Sequence, residues 1–423
     1  MNDDDEYANN ISIPGETRKS IEMDFSTEEL AIIALLLDAD EEKKNQAHRK
    51  YWVHPAWNKR ETEGEFQTLY KELIDDETKF HGYFRMTMNT FDILLKAVEN
   101  DLQKQDTNFR KCIPPRHRLA VCLRFLATGD SLKTISYSYR LGHSTVYEIV
   151  TNTCEALVKT LMPEVMPIPT SQKWRDIADE FWKCWNFPNC IGSLDGKHVV
   201  IQAPPNSGSL YFNYKKTFSV VLMALVDAHY NFIVVDVGAY GRNSDGGILM
   251  NSKLGKSLDS KQLNVPSDTE LPGTENLAPF VILGDEAFPL KTYVMRPYPG
   301  KQLDDSSKRV YNYRHCRGRR VVKNTFGILT QKFRIFNRRI QAKPENADNI
   351  ILATCVLHNF IKINEGRITY NREENINPAV DLTLQNIPIQ GGNASQPAFQ
   401  VRELFKEFFN STAGSVSWQD DVI

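Results

Sequence analysis

The apolar spacing of this chain changes character once, and that change sets what it can fold into. From Trp52 to about Leu161 hydrophobic residues recur at helical intervals in FQTLYKELI, TFDILLKAV, HRLAVCLRFLAT and STVYEIVTNTCEALVKTL, which predicts an all-helical region. Pro163, Pro167 and Pro169 then interrupt the pattern. Beyond them IGSLDGKHVVIQA, TFSVVLMALVDA and NFIVVDVGAY are rich in Val, Ile and Phe and are separated by the turn-prone PPNSG and AHYN, which predicts an antiparallel meander of three strands.

A helix-like ILMNSKLGKSL, a polar loop and a fourth buried strand, PFVILGD, come next. A long helix is expected after a basic block, with Val322, Phe326, Leu329, Phe333 and Phe336 on one stripe, and another from Asn346 to Lys362. Three meander strands, a helix, a further strand and a flanking helix is the order of an RNase H-like mixed sheet. The expected fold class is α+β, in five parts: an acidic segment with one helix at 1–50, a helical domain at 51–162, a linker at 163–190, the RNase H-like domain at 191–365, and a polar linker with a C-terminal helix at 366–423. The N-terminal helix should begin near Thr27, where Ser26, Thr27, Glu28 and Glu29 form a capping-box pattern.

Charge is unevenly distributed. The formal net charge is only -2, yet Lys308 to Lys343 holds twelve Lys/Arg and no acid, while Asp3, Asp4, Asp5 and Glu6 open the chain. Such a block meets a polyanion or forms the solvated face of a helix. The seven cysteines form no CxxC pair, so neither a disulfide framework nor a zinc site is signalled and a reducing compartment is implied. No run approaches the ~20 apolar residues of a membrane span, so a soluble intracellular protein is expected.

Two strand ends deliver aspartates, Asp195 in CIGSLDGKHVV and Asp285 in PFVILGDEAFP. Carboxylates converging from separate elements suit a hard divalent ion and phosphate chemistry. Asp245, in the glycine-flanked turn of GRNSDGG, is a third candidate, and a turn role accounts for each of the three taken singly. Asp227 and Asp236 lie at strand ends beside turns. In the helical region SLKTISYSYRLGHSTVYEIVTNTCEAL has helix-turn-helix spacing, with a turn at Leu141-Gly142, Ser144 as the cap of the second helix, and Thr145 offered to a DNA groove. Plain helix packing produces the same spacing.

Together LDGKH, NYKKTFSVVLMALVDAHYNFIVVDVGAYGRNSDGG, LGDEAFPL with MRPYPG, and YNYRHCRGRRVVKNTFGILTQKFRIF resemble the DDE endonuclease domain of the PIF/Harbinger transposase superfamily and its domesticated nucleases. The resemblance runs from about Trp52 to Gln419 and implies DNA as substrate, Mg2+ or Mn2+ as cofactor, and a protein of the nucleus that is also present in the cytoplasm. A Myb-like or related DNA-binding protein is the implied partner; self-association as a homo-oligomer stays open.

By position, Asp195 and Asp285 correspond to the first two catalytic carboxylates and metal ligands, with Asp245 as a helper ligand. The family's glutamate, in a pattern like RVVENAFG, falls on Lys323. An ammonium has no lone pair and cannot coordinate a metal, so two-metal cleavage is expected to be weak or absent. The next acid, Glu345, lies more than about five helical turns further on, past Pro344. Arg319, Arg320 and Lys323 share a helical face suited to phosphates, and Arg314 and Arg317, in the connection expected upstream, would extend that path. The alternative is a catalytically inactive DNA-binding or chromatin-associated protein on the same fold.

Overall fold

A computed structural model describes residues 51, 53–108, 111–366, 394–419 and 421. The chain divides into two units, Met1–Pro55 and Ala56–Ile423; the helix expected near Thr27 lies outside the described residues. After a single helical turn at Pro55–Asn58, Ala56–Ile423 continues with α1 (Arg60–Glu63), α2 (Leu69–Ile74), α3 (Glu77–Phe84), α4 (Met88–Leu102), α5 (Pro115–Thr128), α6 (Leu132–Ser138), α7 (His143–Val165) and α8 (Ser171–Trp185).

The strands β1 (Cys190–Val200), β2 (Ser219–Val226) and β3 (Phe232–Tyr240) follow as the expected antiparallel meander. Then come α9 (Asp245–Asn251), α10 (Lys253–Asp259), a small β4 (Thr269–Glu270) and β5 (Leu277–Ala278) ribbon, β6 (Val281–Leu283), β7 (Val294–Met295), α11 (Ser306–Lys332), α12 (Pro344–Glu365) and α13 (Gln396–Phe409). The main sheet has the order β3-β2-β1-β6-β7, with β6 parallel to β1 and β7 parallel to β6. This is a mixed α/β fold consistent with an RNase H-like domain.

β2 shows no alternation of apolar and polar residues, because all eight of its positions, SVVLMALV, are buried. A strand covered on both faces has no solvent side on which to place polar residues. Its place between β1 and β3 puts β1 at the middle of the sheet, beside β6, and that placement brings the two strand-end aspartates together.

Three expectations are corrected. Residues 163–190 are not a bare linker: α7 continues through Pro163 to Val165 and α8 fills Ser171–Trp185. Pro163 lies in the last turn of a helix already built, where the pattern break in the sequence looked like an end. Second, the N-cap of α7 is Gly142, without a side-chain hydrogen bond, so Ser144 sits inside the first turn and does not cap it. Third, the basic block does not precede the long helix but forms it, since α11 starts at Ser306.

The helical layer and the sheet of Ala56–Ile423 share one hydrophobic core. Asn359 of α12 ties them: its amide donates to Phe232 O at 2.8 Å and to Val165 O at 3.0 Å, and its carbonyl accepts from Phe232 N at 2.9 Å. Buried polar groups this well satisfied fix orientation as well as energy.

Candidate metal centre

β1 and β6 run parallel with Ser193 opposite Leu283. Side chains alternate along a strand, so continuing that register by two residues sets Asp195 beside Asp285 on the same side. Asp245 arrives from a third element, the first position of α9, whose N-cap Ser244 accepts from Gly247 N. The three carboxylates each place an oxygen within 4.8 Å of the others.

Two glycines make this approach feasible. A Cβ on Gly196 would lie 2.8 Å from Asp245 Cγ, and one on Gly246 would lie 2.8 Å from Ala287 O. Gly246 lets the start of α9 close on the Asp285 loop, and Gly196 leaves room beside β1 for the Asp245 carboxylate. Asp195 Oδ1 accepts from Gly196 N at 3.0 Å and Asp285 Oδ1 from Ala287 N at 2.9 Å, which orients both carboxylates.

The electrostatics are those of an anionic cluster. Burial, followed by the charge of Asp285, pushes the Asp195 carboxyl up to about 6, while Arg319, the Gly196 N–H and Lys323 pull the other way. Burial, and then Asp285 and Asp195, push Asp245 up to about 7. Titratable groups held away from their ordinary values by burial and like charge are candidates for a functional site. The hard oxygen donors fit Mg2+ or Mn2+ rather than a soft ion.

Helix α11 runs along the strand beside this cluster. Ser193 Oγ donates to Arg319 O at 3.0 Å, and the Lys197 ammonium lies 6.0 Å from the centre of the Phe326 ring. Four strand residues span about 13 Å and seven helical residues about 10 Å, so strand and helix advance together and position 323 falls near the level of Asp195. Arg319 approaches Asp285 at 3.8 Å. Lys323 is exposed, and Arg319 and Arg320 are half-buried.

The other predicted arginines divide differently. Arg314 is fully buried, donating to Asn186 O at 2.7 and 3.0 Å, Gln419 Oε1 at 3.0 Å and Gly414 O at 3.2 Å, so it holds the C-terminal segment and cannot meet DNA. Arg317 lies over the Trp418 ring at 4.8 Å. Both are within α11, not in a connection upstream. Ser144 is exposed and Thr145 half-buried at the start of α7, and neither is a member of the carboxylate cluster. Asp227 is a turn residue, accepting from His229 N and Asn231 N at 2.9 Å each. Ser193 and Lys197 were missed as site supports; their signal was the period of two from Asp195 along β1.

The mixed sheet and the converging aspartates have the form of a metal-dependent nuclease-type domain. Residues 194–359 match the family described as DDE superfamily endonuclease, whose members use divalent metal. The chain is 28% identical over 312 residues to Protein ALP1-like of Arabidopsis thaliana, covering 71% of this chain and 74% of that protein. It is 25% identical over 295 residues to the Arabidopsis thaliana protein named Antagonist of Like Heterochromatin Protein 1, covering 68% and 74%. With HARBI1 of Homo sapiens, described as a candidate nuclease, it shares 25% identity over 302 residues, 70% of this chain and 81% of that one. No solved structure matches the chain. Residues 194–359 thus carry a DDE superfamily endonuclease-type domain.

Proposed function

We propose that Asp195, Asp245 and Asp285 hold Mg2+ or Mn2+ for phosphodiester cleavage on DNA, and that cleavage is slow because Lys323 stands where the family resemblance calls for glutamate. The supporting observation is the convergence of three carboxylates from three elements within 4.8 Å of one another. Gathering like charges costs the metal-free fold, a cost that a bound cation offsets. When bound, a divalent ion would polarise a phosphoryl oxygen and lower the pKa of a coordinated water.

The protein's own groups do the rest. The Gly196 and Ala287 N–H groups fix the Asp195 and Asp285 carboxylates. Arg319, Arg320 and Lys323 offer donors to phosphate oxygens, a contact set that falls with salt and carries no sequence information. Ser144 and Thr145 are the residues proposed to approach bases. Lys323 supplies positive charge but no lone pair, so one ligand of a two-ion site is missing. A DNA substrate implies a nuclear location, and a Myb-like DNA-binding partner or a second copy of the chain would supply target choice.

Lys323 also favours the second reading, a DNA-binding or chromatin-associated protein without turnover. Cleavage of duplex DNA in Mn2+ separates the two. Expected are slow cleavage by the wild type, loss in Asp195→Ala, and a rise of roughly tenfold or more in Lys323→Glu, the scale of one transition-state ligand. Salt-dependent DNA binding with no cleavage even by Lys323→Glu would establish the second reading. Cleavage unaffected by Asp195→Ala would overturn the first.

A further inference from the structure

A second group of metal-binding side chains lies outside the aspartate cluster. Glu180 and Cys184 of α8 and His229 of the β2–β3 turn each place a ligand atom within 4.8 Å of the others. Glu180 and Cys184 are four residues apart on a helix and so share a face. His229 comes from a turn 45 residues beyond Cys184 by number, which is why the sequence, lacking a CxxC pair, gave no sign of the site.

The geometry of the turn is built rather than incidental. The Asp227 carboxylate accepts from His229 N and Asn231 N at 2.9 Å each and from Asn231 Nδ2 at 2.7 Å, closing the turn on itself. Trp185 Nε1 donates to Ala228 O at 3.0 Å, latching the turn to the end of α8. These contacts fix the His229 backbone against the helix face that carries Glu180 and Cys184. All three side chains are half-buried and reachable, and Cys184 is in no disulfide.

The imidazole is already aimed into the group, with His229 Nε2 2.9 Å from Glu180 Oε2. Hydrogen bonds from His229 and then Lys183 hold the Glu180 carboxyl below its ordinary range, so it is an anion at neutral pH. A thiol, an imidazole and a carboxylate together are a borderline-soft set. They suit Zn2+ or Co2+, whereas the all-oxygen cluster of Asp195, Asp245 and Asp285 suits Mg2+ or Mn2+.

We infer that Glu180, Cys184 and His229 form a Zn2+-class site that clips the β2–β3 turn to α8, with three protein ligands and one coordination position left open. On binding, the ion displaces the Cys184 thiol proton to solvent, while His229 meets it as a neutral imidazole with its remaining proton on the other ring nitrogen, so uptake strengthens as pH rises. The assignment is independent of any activity at the aspartate cluster.

The test uses the full-length chain titrated with Co2+ in excess Mg2+, read by the thiolate-to-cobalt charge-transfer absorption, and with Zn2+ by calorimetry. One equivalent of Co2+ should give a thiolate band in the wild type, and the band should vanish in Cys184→Ser. Zn2+ should raise the melting temperature of the wild type by mass action. His229→Gln and Glu180→Gln should each weaken Zn2+ roughly tenfold or more, on the scale of lost ligation. If Cys184→Ser fails to fold, those two variants decide the matter. A band that persists in Cys184→Ser, Zn2+ affinity unchanged in His229→Gln and Glu180→Gln, or no uptake by the wild type would overturn the assignment.

Discussion

Gly196 and Asp245 meet where β1 passes the start of α9: a methyl group on Gly196 would stand 2.8 Å from Asp245 Cγ. The glycine after Asp195 is therefore a spacer for the third carboxylate. Gly196→Ala should push Asp245 out of the cluster and weaken Mn2+ binding by roughly tenfold or more, as displacement of a supporting group does. Overpacking should cost about 1–3 kcal/mol of stability. Calorimetric Mn2+ titration and chemical denaturation check this; unchanged Mn2+ affinity in a folded Gly196→Ala protein would remove Asp245 from the site.

The pH dependence has a defined sign. Asp195 at about 6 and Asp245 at about 7 are both raised above ordinary carboxylates, so between about pH 4 and 7 the native state holds protons that the unfolded chain has released. Their contribution to stability is present below the unfolded values near pH 4 and is lost as pH rises through 6 and 7. Melting temperature measured from pH 5 to 8 without metal should carry this downward component, and Asp245→Asn should flatten it. Saturating Mn2+ should offset the loss at the upper end, because only the ionised carboxylates bind it. A wild type and Asp245→Asn with superimposable pH profiles would show that the cluster does not titrate in this range.

Arg314 and Arg320 stand six residues apart on α11 and should behave oppositely. Arg314 is buried with four hydrogen bonds to three acceptors other than solvent, including two to Asn186 O, and its guanidinium lies 4.7 Å from the Phe409 ring centre. Arg314→Ala strands those acceptors and should cost about 3–5 kcal/mol. Arg320→Ala should change stability by no more than about 0.5 kcal/mol while reducing the salt slope of DNA binding by about one phosphate contact. Denaturation midpoints and a salt titration of DNA affinity read the two effects; a stable Arg314→Ala protein with weakened DNA binding would reverse their roles.

Periodicity located the three meander strands, the fourth strand and the helices that follow, because residues that face a core must repeat with the period of the element carrying them. It failed where one local signal had two physical sources. Pro163 marks a helix end as easily as a last turn, and a run of arginines is written the same way whether solvated or buried. Arg314 looked like a phosphate contact because the sequence does not show that Asn186, Gly414 and Gln419 close around it.

By itself the sequence determined the ancestry of the domain, the identities of Asp195 and Asp285, and the lysine at 323, since motif spacing and residue chemistry are local. Only the tertiary structure decided that Asp245 joins them and that Glu180, Cys184 and His229 form a second ligand group. Both groupings depend on which surfaces pack: the Asp245 carboxylate enters beside β1 where Gly196 leaves room, and the β2–β3 turn is latched to α8 by Trp185. Contacts between residues tens of positions apart leave no period in the chain, and it is those contacts that turn separate polar side chains into sites.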